Sequence, residues 1–186
     1  MFKPVAASGP VTLNTNLADY AISKALKSGE ISSDLVKFEF NGTKIANQSF
    51  KPYVREGKFD ASELAIVTLL QALAWGKPIV MLPAVMVGRF QHNCISYDCR
   101  NGDITPKQIE GKRVGVRAYT QTTGAWVRGL LGDEYGVDIN KVHWYTYEDP
   151  HVAEYKEPDF LSRFEPNGKT MEELMFEGLF DAVIIG

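Results

Sequence analysis

With 186 residues, 45% of them hydrophobic and 23% charged, the chain is long enough to bury a core, and its balance excludes a disordered or fibrous protein. A net charge of −3 without a basic stripe argues against nucleic acid as a partner. The apolar stretches 64–75 and 79–87 are broken by Gln71, Gly76, Lys77 and Pro83 and fall short of the roughly 20 apolar residues of a membrane span, so no membrane partner is expected.

Strand-like and helix-like segments alternate from the start, the pattern of parallel sheets covered by helices. Residues 11–15 read as a short strand and 16–26 as a helix, closed by Gly29 where the chain leaves with positive φ. Asn16, Asp19 and Tyr20 would then form its first turn, with Asp19 complementing the helix dipole. Residues 36–41 are β-rich and alternating. Asp60 and Glu63 have the spacing of a capping box for a helix running to about Trp75 and closed by Gly76. The apolar run 79–85 suits a strand buried on both faces, and 93–98 suits another that ends in a turn at 100–102.

The pattern then restarts. Residues 113–118 read as a strand, and 122–135 as a helix with Trp126/Leu130 and Val127/Leu131 at i,i+4 and Gly136 beyond its end. A strand is expected over 141–147, a polar and proline-bearing loop over 149–169, and a helix opened by the Thr170–Glu173 capping box and running through Leu179. Residues 182–185 read as a buried strand. The chain is α/β and divides near 97–102 into two units, 1–97 and 98–186. It stops directly after an apolar strand, without a polar tail or closing helix, which suggests a piece of a longer protein.

The opening MFKPVAASGPV holds one Lys and no apolar run of roughly 7–15 residues, so no secretory leader is expected. That reading favours the cytoplasm, or the periplasm had a leader been removed. Cys94 and Cys99 match no common metal spacing and read as a buried thiol and a loop thiol. No glycine-rich nucleotide fingerprint, P-loop lysine or metal-ligand spacing is present, and no cofactor or metal is expected. Trp75, Trp126 and Trp144 read as core.

Two blocks of sequence carry a resemblance. REGKFDASELAIVTLLQALAWGKPIVMLPAVMVGRFQHNCISYD and ITPKQIEGKRVGVRAYTQTTGAWVRGLLGDEYGVDINKVHWYTY resemble the 4,5-dihydroxyphthalate decarboxylase family, itself similar to the solute-binding proteins of ABC transporters. The resemblance runs from about residue 11 to residue 186. It implies a two-lobed type II periplasmic-binding-protein-like fold lacking the C-terminal return to lobe 1, with a hinge near Tyr97. In such α/β folds a ligand sits outside the carboxyl ends of the strands, where helix N-termini present unpaired N–H groups, here in the cleft between the lobes.

Thr120, Gln121, Thr122 and Thr123 follow a strand and open a helix, with Gly124 allowing close backbone approach. Their hydroxyls and N–H groups suit a carboxylate, although one Thr would serve a plain cap. Arg89 offers a planar charged fork for a carboxylate, and His92 can move a proton near neutral pH. Three residues apart, they need a turn or bulge to face the same way. Ser62 can reach the cleft, whereas Asp60 and Glu63 are expected to be engaged in capping, and Arg55 is a weaker candidate on the preceding helix. Glu148 and His151 follow the strand 141–147 at its carboxyl end, the place for a ligand loop or for a plain solvated one. Asp19 is a further candidate contact.

The resemblance implies decarboxylation of a hydroxylated aromatic dicarboxylate. Direct loss of carbon dioxide would leave an unstable aryl anion, which protonation of the carboxylate-bearing carbon avoids. His92 is the candidate for that proton, Arg89 with Thr122 and Thr123 the candidate anchor, and either Glu63 or Glu148 serves the phenol. The second reading is a non-catalytic solute-binding protein for a small carboxylate or aromatic ligand, feeding a transporter or sensor. A homo-oligomer is compatible with either.

Overall fold

The computed structural model describes residues 9–42 and 44–186. Residues 1–8, on which the reading of no leader rests, and Thr43 lie outside them. The chain forms two compact units, one running to Ala65 and taking in Lys77–Gly88, the other made of Ile66–Gly76 and Arg89–Gly186.

In the first unit, strand β1 (Val11–Asn16) lies at the centre of a parallel three-stranded sheet. Its neighbours are β2 (Val36–Phe40), registered Val11 to Val36, and the two-residue β3 (Ala61–Ser62), registered Thr15 to Ala61. Helices α1 (Lys24–Ser28) and α2 (Phe50–Glu56) connect the strands. Both end at glycines with positive φ, Gly29 at 79° and Gly57 at 65°, where a side chain would be strained. Ala18, Ala46 and Phe50 form the small core.

Two expectations change here. The first helical stretch begins at Ala21, later than expected, because Asn16 is still a strand residue, fully buried and donating from Nδ2 to Ser62 Oγ at 2.9 Å. Asp19 therefore precedes the helix and pairs with Lys27 instead of complementing a helix dipole. No helix opens at Asp60, because Ala61–Ser62 is strand, so the Asp60–Glu63 spacing forms no capping box. The Asp60 carboxylate accepts the backbone N–H of Asn14 at 2.9 Å and Glu63 N–H donates to Asn16 O, so both residues extend the β1 ladder.

The run 79–85 is not a buried strand. It forms no ladder, and Val80, Leu82 and Val85 are 84%, 70% and 78% exposed. Pro78 and Pro83 remove donors, and the backbone turns on itself through Ile79 N–H to Lys77 O and Ala84 N–H to Leu82 O, both 2.8 Å.

The second unit holds α3 (Ile66–Ala74), β4 (Ile95–Tyr97), β5 (Arg113–Val116), α4 (Thr122–Asp133), β6 (His143–Thr146), β7 (Ser162–Arg163), α5 (Met171–Phe176) and β8 (Ala182–Ile184). Its five strands run in the order β4-β8-β5-β6-β7, parallel except for β4 against β8. The central strands are apolar because both faces are covered. Val114, Val116, Trp144 and Ile184 pack against Val127 and Leu131 of α4, while Val183 packs with Leu174, Met175 and Phe180 on the other face. Gly115 allows that second layer to close, since a Cβ there would lie 2.5 Å from Met171 Cε and 2.9 Å from the Phe180 ring. Gly124 likewise lets α4 approach β5, with its Cβ position 3.0 Å from Val116 Cγ2.

The Thr170 capping box forms as expected, with Glu173 N–H donating to Thr170 Oγ1 and Thr170 N–H to Glu173 Oε2. Cys94 is buried and Cys99 exposed. Of the tryptophans, Trp144 is core, but Trp126 and Trp75 are 54% and 43% exposed. On α4 the buried positions are Thr123, Gly124, Val127, Arg128 and Leu131, which turns Trp126 to the opposite side. Among the described residues no helix is long and apolar enough to cross a membrane.

Candidate functional site

In the second unit the polar groups gather at the N-terminus of α4, beyond the carboxyl end of β5. Gln121 is the N-cap residue and makes no side-chain cap bond, so Thr122, Thr123 and Gly124 begin the helix with N–H groups that have no partner within it. Thr120, Gln121 and Thr123 are buried and Thr122 half-buried. Thr122 Oγ1 accepts the backbone N–H of Val67 at 3.3 Å, and Arg89 Nη2 donates to Thr123 Oγ1 at 3.5 Å. Gln121 Nε2 donates to Gly186 O at 3.4 Å, and the backbone there runs so close that a Cβ on Gly186 would lie 2.3 Å from Thr123 Oγ1. Arg89, Gln121, Thr122 and Thr123 are thus brought together as a positively charged end of a 12-residue helix.

The first turns of α3 carry this set on to His151. Next to Val67, Thr68 Oγ1 lies 2.7 Å from His151 Nδ1, and both side chains are buried. His151 stands in the loop after β6, as the sequence suggested. Glu148, at the head of that loop, pairs with Arg117 Nη1 at 3.4 Å. Arg163 pins the same loop, donating to Tyr147 O at 3.1 Å, Glu148 O at 2.9 Å and the Asp149 carboxylate at 2.9 Å.

His92 has different surroundings. It opens a 3-10 turn, is exposed, and lines a concavity of about 230 Å³ with Ile95, Ile104, Pro106, Leu130 and Tyr135. The turn that the R-x-x-H spacing required is present, yet Arg89 points to Thr123 while His92 meets apolar neighbours.

In the first unit, Ser62 and Glu63 sit at the carboxyl ends of β1 and β3. Ser62 Oγ accepts from Asn16 Nδ2 and donates to Glu63 O at 2.8 Å, and Tyr20 donates its hydroxyl to Glu63 Oε1 at 3.1 Å. Burial raises the Glu63 carboxyl above its ordinary range, against the lowering effect of the Tyr20 hydroxyl. The Tyr20 phenol is pushed up to about 12, first by burial and then by the adjacent Glu63 charge. Asp19, exposed, is spent on its ion pair with Lys27, and Arg55 lies exposed on α2.

Three residues of this chemistry had no signal in the sequence reading. Thr68 looked like one more position on an apolar helix. Arg117 and Arg163 belong to no motif, and only tertiary pairing with the 147–149 segment distinguishes them. Among the described residues, no group of three or more His, Cys, Asp or Glu side chains gathers as a metal site would require.

No protein-family model matches the chain. It is 29% identical, over 92% of its own length and 54% of the other protein, to a 4,5-dihydroxyphthalate decarboxylase of Comamonas testosteroni. It is 26% identical, over 94% of its length and 70% of the other protein, to a 4,5-dihydroxyphthalate decarboxylase of Pseudomonas putida. The chain spans about half the length of the first of these relatives. These matches bear out the resemblance seen in the sequence, and the chain is a distant relative of the 4,5-dihydroxyphthalate decarboxylases.

Proposed function

We propose that the protein acts as a carboxy-lyase on a hydroxylated aromatic dicarboxylate of the 4,5-dihydroxyphthalate kind, with the substrate held at the N-terminus of α4. The observation that supports this reading is the convergence of the Arg89 guanidinium with the Thr122–Thr123 turn, a pairing suited to a carboxylate, in a relative of two decarboxylases. The reading carries with it the two-lobed periplasmic-binding architecture, each unit having its polar set beyond the carboxyl ends of its own parallel strands.

The chemistry consumes one proton per turnover. A proton adds to the ring carbon that bears the departing carboxylate, drawing on electron density from the para hydroxyl. The bond to the carboxylate then breaks, its electron pair restores the aromatic ring, and carbon dioxide leaves, giving 3,4-dihydroxybenzoate. Arg89 and the first-turn N–H groups of α4 hold the retained carboxylate. His151 supplies the proton, because it is the histidine joined to the anchor through Thr68 on α3. Glu148, next to the same loop, accepts from the phenol.

Incubation of the protein with 4,5-dihydroxyphthalate, followed by chromatography, tests this. Formation of 3,4-dihydroxybenzoate that falls at least ~100-fold in His151→Ala supports the assignment. A comparable fall in His92→Ala alone moves the proton donor to His92. Binding of the substrate without any product, lost in Arg89→Ala, identifies a solute-binding protein instead.

A further inference from the structure

Arg128 stands on the buried face of α4, one turn beyond Gly124, and is only 8% exposed. Its guanidinium lies 3.7 Å from the centroid of the Tyr119 ring and 5.6 Å from that of Trp144, and Nη2 donates to Tyr119 O at 2.7 Å. Nη1 is buried and has no hydrogen-bond partner, and no carboxylate among the described residues pairs with the group. A buried cation without an anion is costly, and aromatic faces offset only part of that cost. Burial accordingly lowers the Arg128 pKa.

The unpartnered atom points toward the helix N-terminus. The Cβ position of Gly124 is 3.4 Å from Nη1 and 3.0 Å from Val116 Cγ2, so Nη1 lies against the first turn of α4 beside an apolar side chain. Gln121, Gly124 and Arg128 share one face of α4 at i, i+3 and i+7. At the top of that face Gln121 Oε1 is also buried without a partner. One end of the helix thus holds an unmet donor and an unmet acceptor, both on side chains more than nine-tenths buried.

We propose that Arg128 is an anion-recognising residue, its guanidinium completed by a carboxylate of the bound ligand, while Gln121 accepts a hydrogen bond from a hydroxyl of the same molecule. This rests on the reading above and deepens it: Arg89 and Arg128 give the site two cations, matching a ligand with two carboxylates and ring hydroxyls.

The test uses phthalate, which has both carboxylates and no hydroxyl, titrated calorimetrically into wild type, Arg128→Met and Arg128→Lys, with melting curves of each. Phthalate binding weakened roughly tenfold or more in Arg128→Met, and by less in Arg128→Lys, is the expected result. The ligand-free melting temperature of Arg128→Met should be equal to or above that of wild type, because an uncompensated charge has been removed. Affinity within about twofold of wild type in both variants, or a weakening that only follows a lowered ligand-free melting temperature, overturns the proposal by making Arg128 a packing residue. Wild type that turns over 4,5-dihydroxyphthalate while Arg128→Met binds phthalate normally sinks this inference alone. Wild type that binds neither molecule sinks the functional reading with it.

Discussion

Thr68 Oγ1 and His151 Nδ1 lie 2.7 Å apart, both buried, although 83 residues separate them in the chain. The bond ties the first turn of α3 to the loop after β6 and fixes how the imidazole is turned. Thr68→Val keeps the shape and deletes the hydroxyl. It should cost about 1–3 kcal/mol, the range for a buried polar group deprived of a partner, read as a shift in the urea midpoint. Thr68→Ser should recover most of the loss, and an unchanged midpoint in Thr68→Val would show that the bond does not contribute.

Arg113 and Asp181 close the opposite end of the central strands. Asp181 Oδ2 accepts the Arg113 backbone N–H at 2.8 Å, and the guanidinium adds bonds of 3.2 Å to each oxygen. Burial alone would raise the Asp181 carboxyl, but the Arg113 hydrogen bonds and charge outweigh it and hold it below the usual carboxylate range. A depressed pKa stabilises the fold above the ordinary carboxylate range, and that stability is lost as pH falls through the folded value. Asp181→Asn should therefore melt below wild type at pH 7, with the gap closing below about pH 4. A gap independent of pH would mean that the ion pair is not its source.

Glu63 has the opposite sign. Burial raises its pKa, so its stabilising contribution is complete below the ordinary carboxylate range and is lost as pH rises through the folded value. Glu63→Gln can still accept the Tyr20 hydroxyl through Oε1 and never ionises. Its melting temperature should match wild type near pH 4, rise above it as pH climbs through the folded value, and stay above it from there to pH 8. If wild type remains the more stable at pH 8, the carboxylate is better compensated than its burial suggests.

Gly115→Ala should be among the most damaging single-methyl additions to the second unit. The new Cβ would lie 2.5 Å from Met171 Cε, which can move, and 2.9 Å from two atoms of the Phe180 ring, which is 2% exposed and packed against Phe164 with centroids 4.9 Å apart. Overpacking of this kind costs about 1–3 kcal/mol. A double variant with Met171→Ala that regains less than a third of the loss would place the clash on Phe180.

Much of the second unit was legible because its signals are local or periodic. The apolar runs at 113–116 and 182–184 are strands covered on both faces, and the Thr170–Glu173 spacing formed its capping box. The same kind of spacing at Asp60 and Glu63 misled, since the Asp60 carboxylate found the Asn14 N–H 46 residues earlier in the chain. The run 79–85 misled for a related reason. Apolar character favours a strand, but a ladder needs a neighbouring edge, and two prolines reduce what the segment can donate.

The site divides in the same way. Thr120–Thr123 with Gly124 could be read as a ligand-facing turn because a strand leading into a helix always leaves N–H groups at that point. The sequence by itself thus determined the α/β class, the glycine that closes the first helix, and the strand-to-helix turn at 120–124 with its free N–H groups, all consequences of backbone hydrogen bonding and short-range periodicity. Tertiary structure decided that Arg89 reaches Thr123, that Thr68 holds His151, that His92 faces apolar neighbours, and that Arg128 is buried without a counter-charge among the described residues. Those depend on which side chains meet across tens of residues, and on which groups lose water without gaining a partner, quantities that no local pattern of residue types encodes.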